Sequence, residues 1–373
     1  MPQQPMRVLQ VIGAMDRGGA ETLVMNLYRN VDRSKVQFDF LVNEERQCDY
    51  DAEIKSMGGR IYRIPRYNLL NGALYRKACK EFFRLHEFPV VHGHIGLPAA
   101  IYLAEAARHG AFTIAHSHSQ NFPLSVEELA FRVCSHRVRG VADYFLACSR
   151  EAGRDRFGED IVSGGSFHIL NNGVDTRALA FSPEKRRAVR AELGIDDDAP
   201  VFGHVGRLTE VKNHRFLIEV FGALKQKMPD SRLLLVGRGE LEAQLREEAA
   251  RAGLEDSVLF LGVRNDIPAI LSAMDVFVFP SLSEGLPCAV VEAQASGLPT
   301  LLSTGVPELA SILPSTKRLE LAEGCDAWVE EAEKMYGAGL SADRPGAKSY
   351  IADAGFDIEE SAALIQELYL QYA

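Results

Sequence analysis

Three groups of residues in this 373-residue sequence have types and spacings suited to chemistry on a charged, hydroxyl-rich ligand. In Gly206-Arg207-Leu208-Thr209-Glu210-Val211-Lys212-Asn213, an Arg and a Lys stand five apart, directly after an apolar run. A guanidinium grips two oxygens at once, and an ammonium neutralises charge growing on a departing phosphate, so the pair suits a diphosphate. In Ser281-Leu282-Ser283-Glu284-Gly285-Leu286-Pro287-Cys288, continuing to Glu292, two carboxylates straddle a loop and the start of a helix. Carboxylates so placed accept hydrogen bonds from sugar and ribose hydroxyls. Gly285 frees the backbone there, and Pro287 suits an early helical position. The third group is Gly18-Gly19-Ala20-Glu21, between an apolar run and a helix pattern. Its glycines admit a ligand close to the backbone, and the helix start offers free N–H groups. Each pattern taken singly has a plainer reading: surface cations, a charged loop, an ordinary tight turn.

The elements that must position these residues are legible as apolar runs. They fall at 8–12, 38–42, 90–92, 113–116, 144–147 and 167–170, with helical spacing at 21–29, 97–107 and 125–138. Continuous rather than alternating runs mean strands buried on both faces, hence a parallel sheet covered by helices. After Asn171-Asn172-Gly173-Val174-Asp175, a turn signal that suits a hinge, the pattern starts again. Strands are expected at 200–205, 232–236, 258–261, 276–279 and 300–303, and helices at 214–227, 240–252, 267–272 and 287–295. The expected fold is therefore α/β: two facing, doubly wound, Rossmann-like domains with ligands in the cleft beyond the strands' carboxyl ends. The expected domains are 1–172 and 173–357. Beyond Pro314 the strand signal weakens, and an amphipathic final helix at about 358–373 carries Leu364, Ile365, Leu368 and Tyr369 on one side. That helix is expected either to cap the second domain or to cross back and pack on the first.

Bulk properties narrow the function. The net charge is −10, yet residues through Asn172 hold 21 Lys+Arg against 19 Asp+Glu, leaving 20 against 32 for the rest. An acidic chain is a poor nucleic-acid binder. The near-neutral first half carries a dense basic stretch, Arg60, Arg63, Arg66, Arg76, Lys77 and Lys80, open to two readings: a solvated surface or a contact with an anionic membrane. The six cysteines, Cys48, Cys79, Cys134, Cys148, Cys288 and Cys325, lack zinc spacing and read as reduced, mostly buried thiols. With no signal-peptide pattern and no apolar run long enough to span a bilayer, a cytoplasmic location is expected, with the inner face of the membrane as a possible station.

Two apolar runs end in histidines, Val90-Val91-His92-Gly93-His94 and Ala115-His116-Ser117-His118-Ser119. With the three groups above, their order and their division between two domains, the chain resembles the family-four retaining glycosyltransferases of GT-B fold. That group includes makers of exopolysaccharide and lipid-linked glycans. The resemblance covers residues 6–307 and continues more loosely to the final helix. It implies that Gly18 and Gly19 approach the donor phosphate or acceptor, and that Arg207 and Lys212 hold the donor diphosphate. It places Glu284 on the donor sugar, Glu292 on the ribose, the backbone of Gly285, Leu286 and Pro287 at phosphate or sugar, and Arg264 and Asn265 at the base. The family histidine that faces the donor sugar corresponds by register to His118, with His116 as the alternative. His92, His94 and His116 fall to the acceptor side, which loops 67–73 and 120–126 would complete.

The implied reaction moves a sugar from a UDP- or GDP-sugar to a glycan or lipid-linked acceptor with retention. It needs neither metal nor cofactor, and its catalytic residues would be His118, Glu284, Arg207 and Lys212. Two features depart from related patterns. Thr304-Gly305-Val306-Pro307-Glu308 is poorer in glycine than the richest family examples, and Gly237-Arg238-Gly239-Glu240 lacks the third glycine of a dinucleotide turn. Rival readings are a non-catalytic sugar-nucleotide-binding subunit and a nucleotide-sugar epimerase. A glycosidase using Glu284 and Glu292 as its acid pair would leave Arg207 and Lys212 without a task.

Overall fold

The computed structural model describes residues 4–94, 96–118, 126–339, 344 and 347–372. Residues 120–125 of the expected acceptor loop 120–126 lie outside them. The chain divides into two compact units, Met1–Gly173 with Ile358–Ala373, and Val174–Asp357.

In the first unit, strands β1 (Met6–Val11), β2 (Val36–Val42), β3 (Ile61–Arg63), β4 (Val90–His94), β5 (Phe112–Ser117), β6 (Tyr144–Ala147) and β7 (Phe167–Ile169) form one sheet. Their order is β3-β2-β1-β4-β5-β6-β7, and every pairing is parallel. The apolar runs demand cover on both faces, and two helical layers supply it. On one face Val8, Phe38, Phe40, Val90 and Ile114 pack against Leu23, Val24, Leu27 and Tyr28 of helix Gly19–Asn30. Ile365, Leu368 and Tyr369 of the final helix, Ile358–Leu370, complete that core, while Leu364 is only half-buried. On the other face Leu9, Val91 and Ala115 meet Tyr75, Phe82 and Phe83 of helix Gly72–Leu85, and Tyr102 and Leu103 of helix Ala99–Arg108.

The second unit repeats the plan with β8 (Val201–Val205), β9 (Arg232–Val236), β10 (Val258–Gly262), β11 (Val276–Phe279), β12 (Thr300–Ser303) and β13 (Thr316–Leu319). All are parallel, in the order β10-β9-β8-β11-β12-β13. Helices Pro183–Glu192, Ile267–Ala273 and Cys288–Ala295 cover one face, and His214–Lys227, Glu242–Arg251 and Gly324–Gly339 the other, the last burying Trp328.

Both sheets reverse direction beside their first strand, between β1 and β4 and between β8 and β11. Loops leaving the strand ends part at such a point and open a crevice for ligand. Two strands are additional to the sequence expectation, and both are edges. β3 carries Arg63 and β13 carries Lys317 and Arg318, and neither strand is fully buried, so neither shows a continuous apolar run. Three cysteines, Cys48, Cys79 and Cys148, are buried and three are half-buried, fewer than expected; none of the six forms a disulfide. Among the described residues no helix is long and apolar enough to cross a membrane.

Candidate active site

In the second unit four loops meet at the carboxyl ends of β8, β9, β11 and β12. Leu282 N–H donates to Val211 O (2.8 Å), and Glu284 N–H donates to Gly305 O (3.0 Å). Asn213 lies in the left-handed region, φ 55°, which Asn tolerates better than most residues, and its Nδ2 donates to Pro280 O (3.2 Å). Two glycines allow these loops to touch. A Cβ on Gly237 (φ 134°) would lie 2.0 Å from Gly206 O, and one on Gly305 would lie 2.4 Å from Leu282 O. Gly237 thus serves loop packing, which accounts for it without a dinucleotide.

The loops bring Lys212 and Glu284 together, although they are 72 positions apart. Lys212 Nζ donates to Glu284 Oε1 (2.6 Å) and stands 4.7 Å from the Phe279 ring centre. Ser281 Oγ donates to the same oxygen (2.6 Å). Arg207 is exposed, and its guanidinium has no partner among the described residues. Glu292, in the second turn of helix Cys288–Ala295, is half-buried and likewise unpartnered; burial pushes its carboxyl up to about 7. Pro287 caps that helix from outside, Leu286 is half-buried, and a Cβ on Gly285 would meet nothing within 4 Å. No side chain caps the N-terminus of either His214–Lys227 or Cys288–Ala295, so both retain backbone donors for an anion.

Arg264 and Asn265 sit farther out, after the edge strand β10. Arg264 is committed to Glu192 (2.6 Å) and Asp266 (2.7 Å), and these partners raise its pKa. Exposed Asn265 and the backbone are what this turn offers a base.

In the first unit Gly18 flanks helix Gly19–Asn30 in extended backbone, φ −112°. A Cβ on Gly19 would meet nothing within 4 Å, so the fold itself does not require glycine there. The histidines share one sheet face. His92 and His94 alternate on β4, His94 lies beside His116 of β5, and His118 follows just past the strand end. His116 is fully buried with Nδ1 3.1 Å from His92 Nε2, whereas His118 is half-buried with Nε2 2.7 Å from His94 Nδ1. Burial lowers all four pKa values, His92 to about 3 and His118 to about 4. All four are neutral at ordinary pH.

Two residues without any local motif complete this group. Gln10 Oε1 is 3.0 Å from His94 Nε2, and its Nε2 donates to Tyr369 Oη (3.1 Å). Tyr369 Oη is in turn 2.6 Å from His92 Nδ1. Ring nitrogens of His92, His94 and His116 lie within 4.8 Å of one another, the one such group among the described residues.

The family model described as glycosyl transferases group 1 matches residues 185–337, and that described as glycosyltransferase family 4 matches residues 17–178. EpsF of Bacillus subtilis (strain 168), named as a glycosyltransferase, is 36% identical over 97% of this chain and 96% of its own length. A GDP-mannose-dependent monoacylated alpha-(1-6)-phosphatidylinositol monomannoside mannosyltransferase of Corynebacterium glutamicum is 29% identical over 80% of each chain. The crystal structure of Anabaena HepE in complex with UDP-glucose superposes with a TM-score of 0.76 at 20% identity, covering 98% of this chain and 100% of that one. The chain belongs to glycosyltransferase family four and is a glycosyltransferase of GT-B fold.

Proposed function

We propose that this transferase takes a UDP- or GDP-sugar as donor, passes the sugar to a glycan or lipid-linked acceptor with retention, and needs no metal or cofactor. The observation that carries this reading is the switch point of the second sheet. There an unpaired Arg207, the Lys212–Glu284 pair and an unpartnered, half-buried Glu292 surround two uncapped helix starts.

Arg207 and Lys212 hold the diphosphate and offset the charge it gains as the sugar's anomeric C–O bond breaks. Glu284 binds the sugar and Glu292 the ribose. The acceptor oxygen forms the new bond on the face the phosphate leaves, and its proton passes to the leaving phosphate oxygen. His118 serves a sugar hydroxyl, Gly18 and Gly19 give a phosphate or acceptor access to backbone N–H groups, and His94 and His116 belong to the acceptor side. Side-chain cations and helix starts do the work a divalent ion would otherwise do.

Donors of both base types appear in the names of similar proteins, UDP-glucose for HepE and GDP-mannose for the Corynebacterium enzyme. The test is a panel of UDP- and GDP-sugars assayed with a chelator present, followed by NMR of the product's anomeric carbon. The reading requires turnover in chelator and an axial or equatorial configuration unchanged from donor to product. Turnover that returns only with a divalent ion, inversion, or epimerisation of the donor would each contradict it.

The reading includes work in the cytoplasm at the inner face of a membrane, supported by the loop before helix Gly72–Leu85. Asn68 and Asn71 bond one another's backbone, Leu69 is held at φ 65°, and Leu70 is 95% exposed. A bulky residue in that backbone region is strained, so the loop holds apolar side chains in water at a cost. Leu74 is exposed nearby, as are Arg66, Arg76, Lys77 and Lys80, which have no ion pair among the described residues. Each cation contributes about 1 kcal/mol near an anionic bilayer. Sedimentation should show binding to phosphatidylcholine vesicles only when phosphatidylglycerol is added, with loss in a Leu69→Ser, Leu70→Ser, Leu74→Ser variant. Equal recovery of wild type and variant would remove the membrane from the account.

A further inference from the structure

Gln10, Tyr369 and the four histidines of the first unit form one unbroken hydrogen-bonded chain, and its tautomers can be assigned in order. Gln10 Nε2 donates to Tyr369 Oη, so Gln10 Oε1 accepts, and the only group on it among the described residues is His94 Nε2, which must carry the proton. A neutral imidazole has one N–H. His94 Nδ1 is therefore a lone pair, and His118 Nε2, 2.7 Å away, donates to it. That leaves His118 Nδ1 as a bare acceptor, and this atom has no partner among the described residues.

On the other side Tyr369 accepts from Gln10 and gives its own proton to His92 Nδ1. Burial raises the Tyr369 pKa far above neutrality, so that proton is always present. His92 Nε2 then donates to His116 Nδ1, and the chain ends at a buried His116 Nε2–H without a partner among the described residues. An amide donates on one end and accepts on the other without passing a proton through, so Gln10 sets the direction of the whole chain. The same geometry argues against a metal among these rings. They stack with centres 4.6 to 5.5 Å apart, and both nitrogens of His92 and of His94 are already engaged.

We propose that Gln10 and Tyr369 are positioning residues that hold His118 as its Nε2–H tautomer, so that Nδ1 offers a lone pair to a hydroxyl of the sugar substrate. The role of that hydroxyl rests on the transferase reading above; the tautomer does not. Gln10 is placed for this by β1, where it lies beside His92 in register, and Tyr369 by the final helix packed on the same sheet face. A lone pair selects an O–H and turns away a deoxy or O-methyl analogue, because an acceptor without a donor stays unsatisfied.

The experiment uses the full chain labelled with ¹⁵N-histidine and no ligand, with imidazole nitrogen shifts read by long-range proton–nitrogen correlation. His118 is identified by the signals lost in His118→Ala. Wild type should show His118 with Nε2 protonated and Nδ1 bare. Gln10→Met, which removes both the donor and the acceptor, should give a mixture of tautomers and lose about tenfold in kcat, one hydrogen bond's worth. A wild-type His118 protonated at Nδ1, or a Gln10→Met protein with an unchanged tautomer, would overturn the assignment. The wild-type spectrum decides even if a variant fails to fold. An intact tautomer in a protein that transfers no sugar would overturn the transferase roles given above and leave the positioning of His118 standing.

Discussion

The two sheets have the same strand order around their first strand, yet the side chains at their carboxyl ends belong to different chemistries. In the second unit the loops after β8 and β11 carry charges, with Lys212 against Glu284 and Arg207 unpaired among the described residues, and the helix that follows carries the titratable Glu292. In the first unit the ends of β4 and β5 carry neutral imidazoles, hydrogen-bonded to one another and to Gln10 and Tyr369. The difference teaches what the fold does and does not supply. Strand order opens a crevice, and the residues placed there decide whether it suits an anion or a hydroxyl. A charged crevice fits a diphosphate, which arrives with its own charge. A neutral network fits a sugar, which presents O–H groups and would gain little from a fixed ion.

This contrast can be broken most severely at Lys212. Lys212→Ala removes the ammonium from the leaving group and leaves Glu284 without its cation, so kcat should fall about 10²- to 10³-fold. Thermal stability should fall less than kcat does, because the pair is partly rather than fully buried, with side chains 19% and 12% exposed, and Ser281 still bonds Glu284. A large loss of stability with normal kcat would mean that the pair is structural.

Acidity should act on the two regions with opposite sign. Glu292 has its pKa raised from 4.5 to about 7, so its contribution to stability is full below about 4.5 and is lost as pH rises through about 7. Glu292→Gln should therefore raise stability near pH 8 by roughly 1 to 3 kcal/mol, while weakening UDP or GDP binding by about tenfold. Wild-type binding should strengthen between about pH 6 and about pH 8, as the carboxylate forms and accepts the ribose hydroxyls, and the variant should lose that slope. The histidines behave in reverse. Their pKa values are lowered from 6.5 by burial, so the stability they contribute is present above 6.5 and is lost as pH falls toward about 4. Together the four rings should give a melting temperature that declines between about pH 7 and about pH 5. A flat profile there would indicate charged or solvated rings.

Much of this arrangement was legible in the sequence, and the reasons for success and failure are physical. The central strands announced themselves because burial on both faces forces unbroken apolar runs such as 276–279. β3 and β13, at the sheet edges, need no such run and stayed hidden. Arg207 and Glu284 stood out in the sequence because each lies shortly after a strand end, and Lys212 and Glu292 because of their spacing from them. Their pairing did not, since Lys212 and Glu284 meet only through two loops and the glycines that let them touch. Tyr369 read as one apolar position of a final helix; nothing near it shows that its hydroxyl reaches His92, 277 positions earlier. Gln10, in the middle of an apolar run, carried the only local hint. A buried amide in a core strand has to find partners.

The central claim is that the crevice of the second sheet holds a nucleoside diphosphate by its cations and by Glu292. It is tested most directly by calorimetry of UDP and GDP binding, in chelator, to wild type, Lys212→Ala and Glu292→Gln. The account predicts that one nucleotide binds wild type and that both variants bind it at least about tenfold more weakly while remaining folded. Equal affinity in all three proteins would contradict it and move the nucleotide elsewhere.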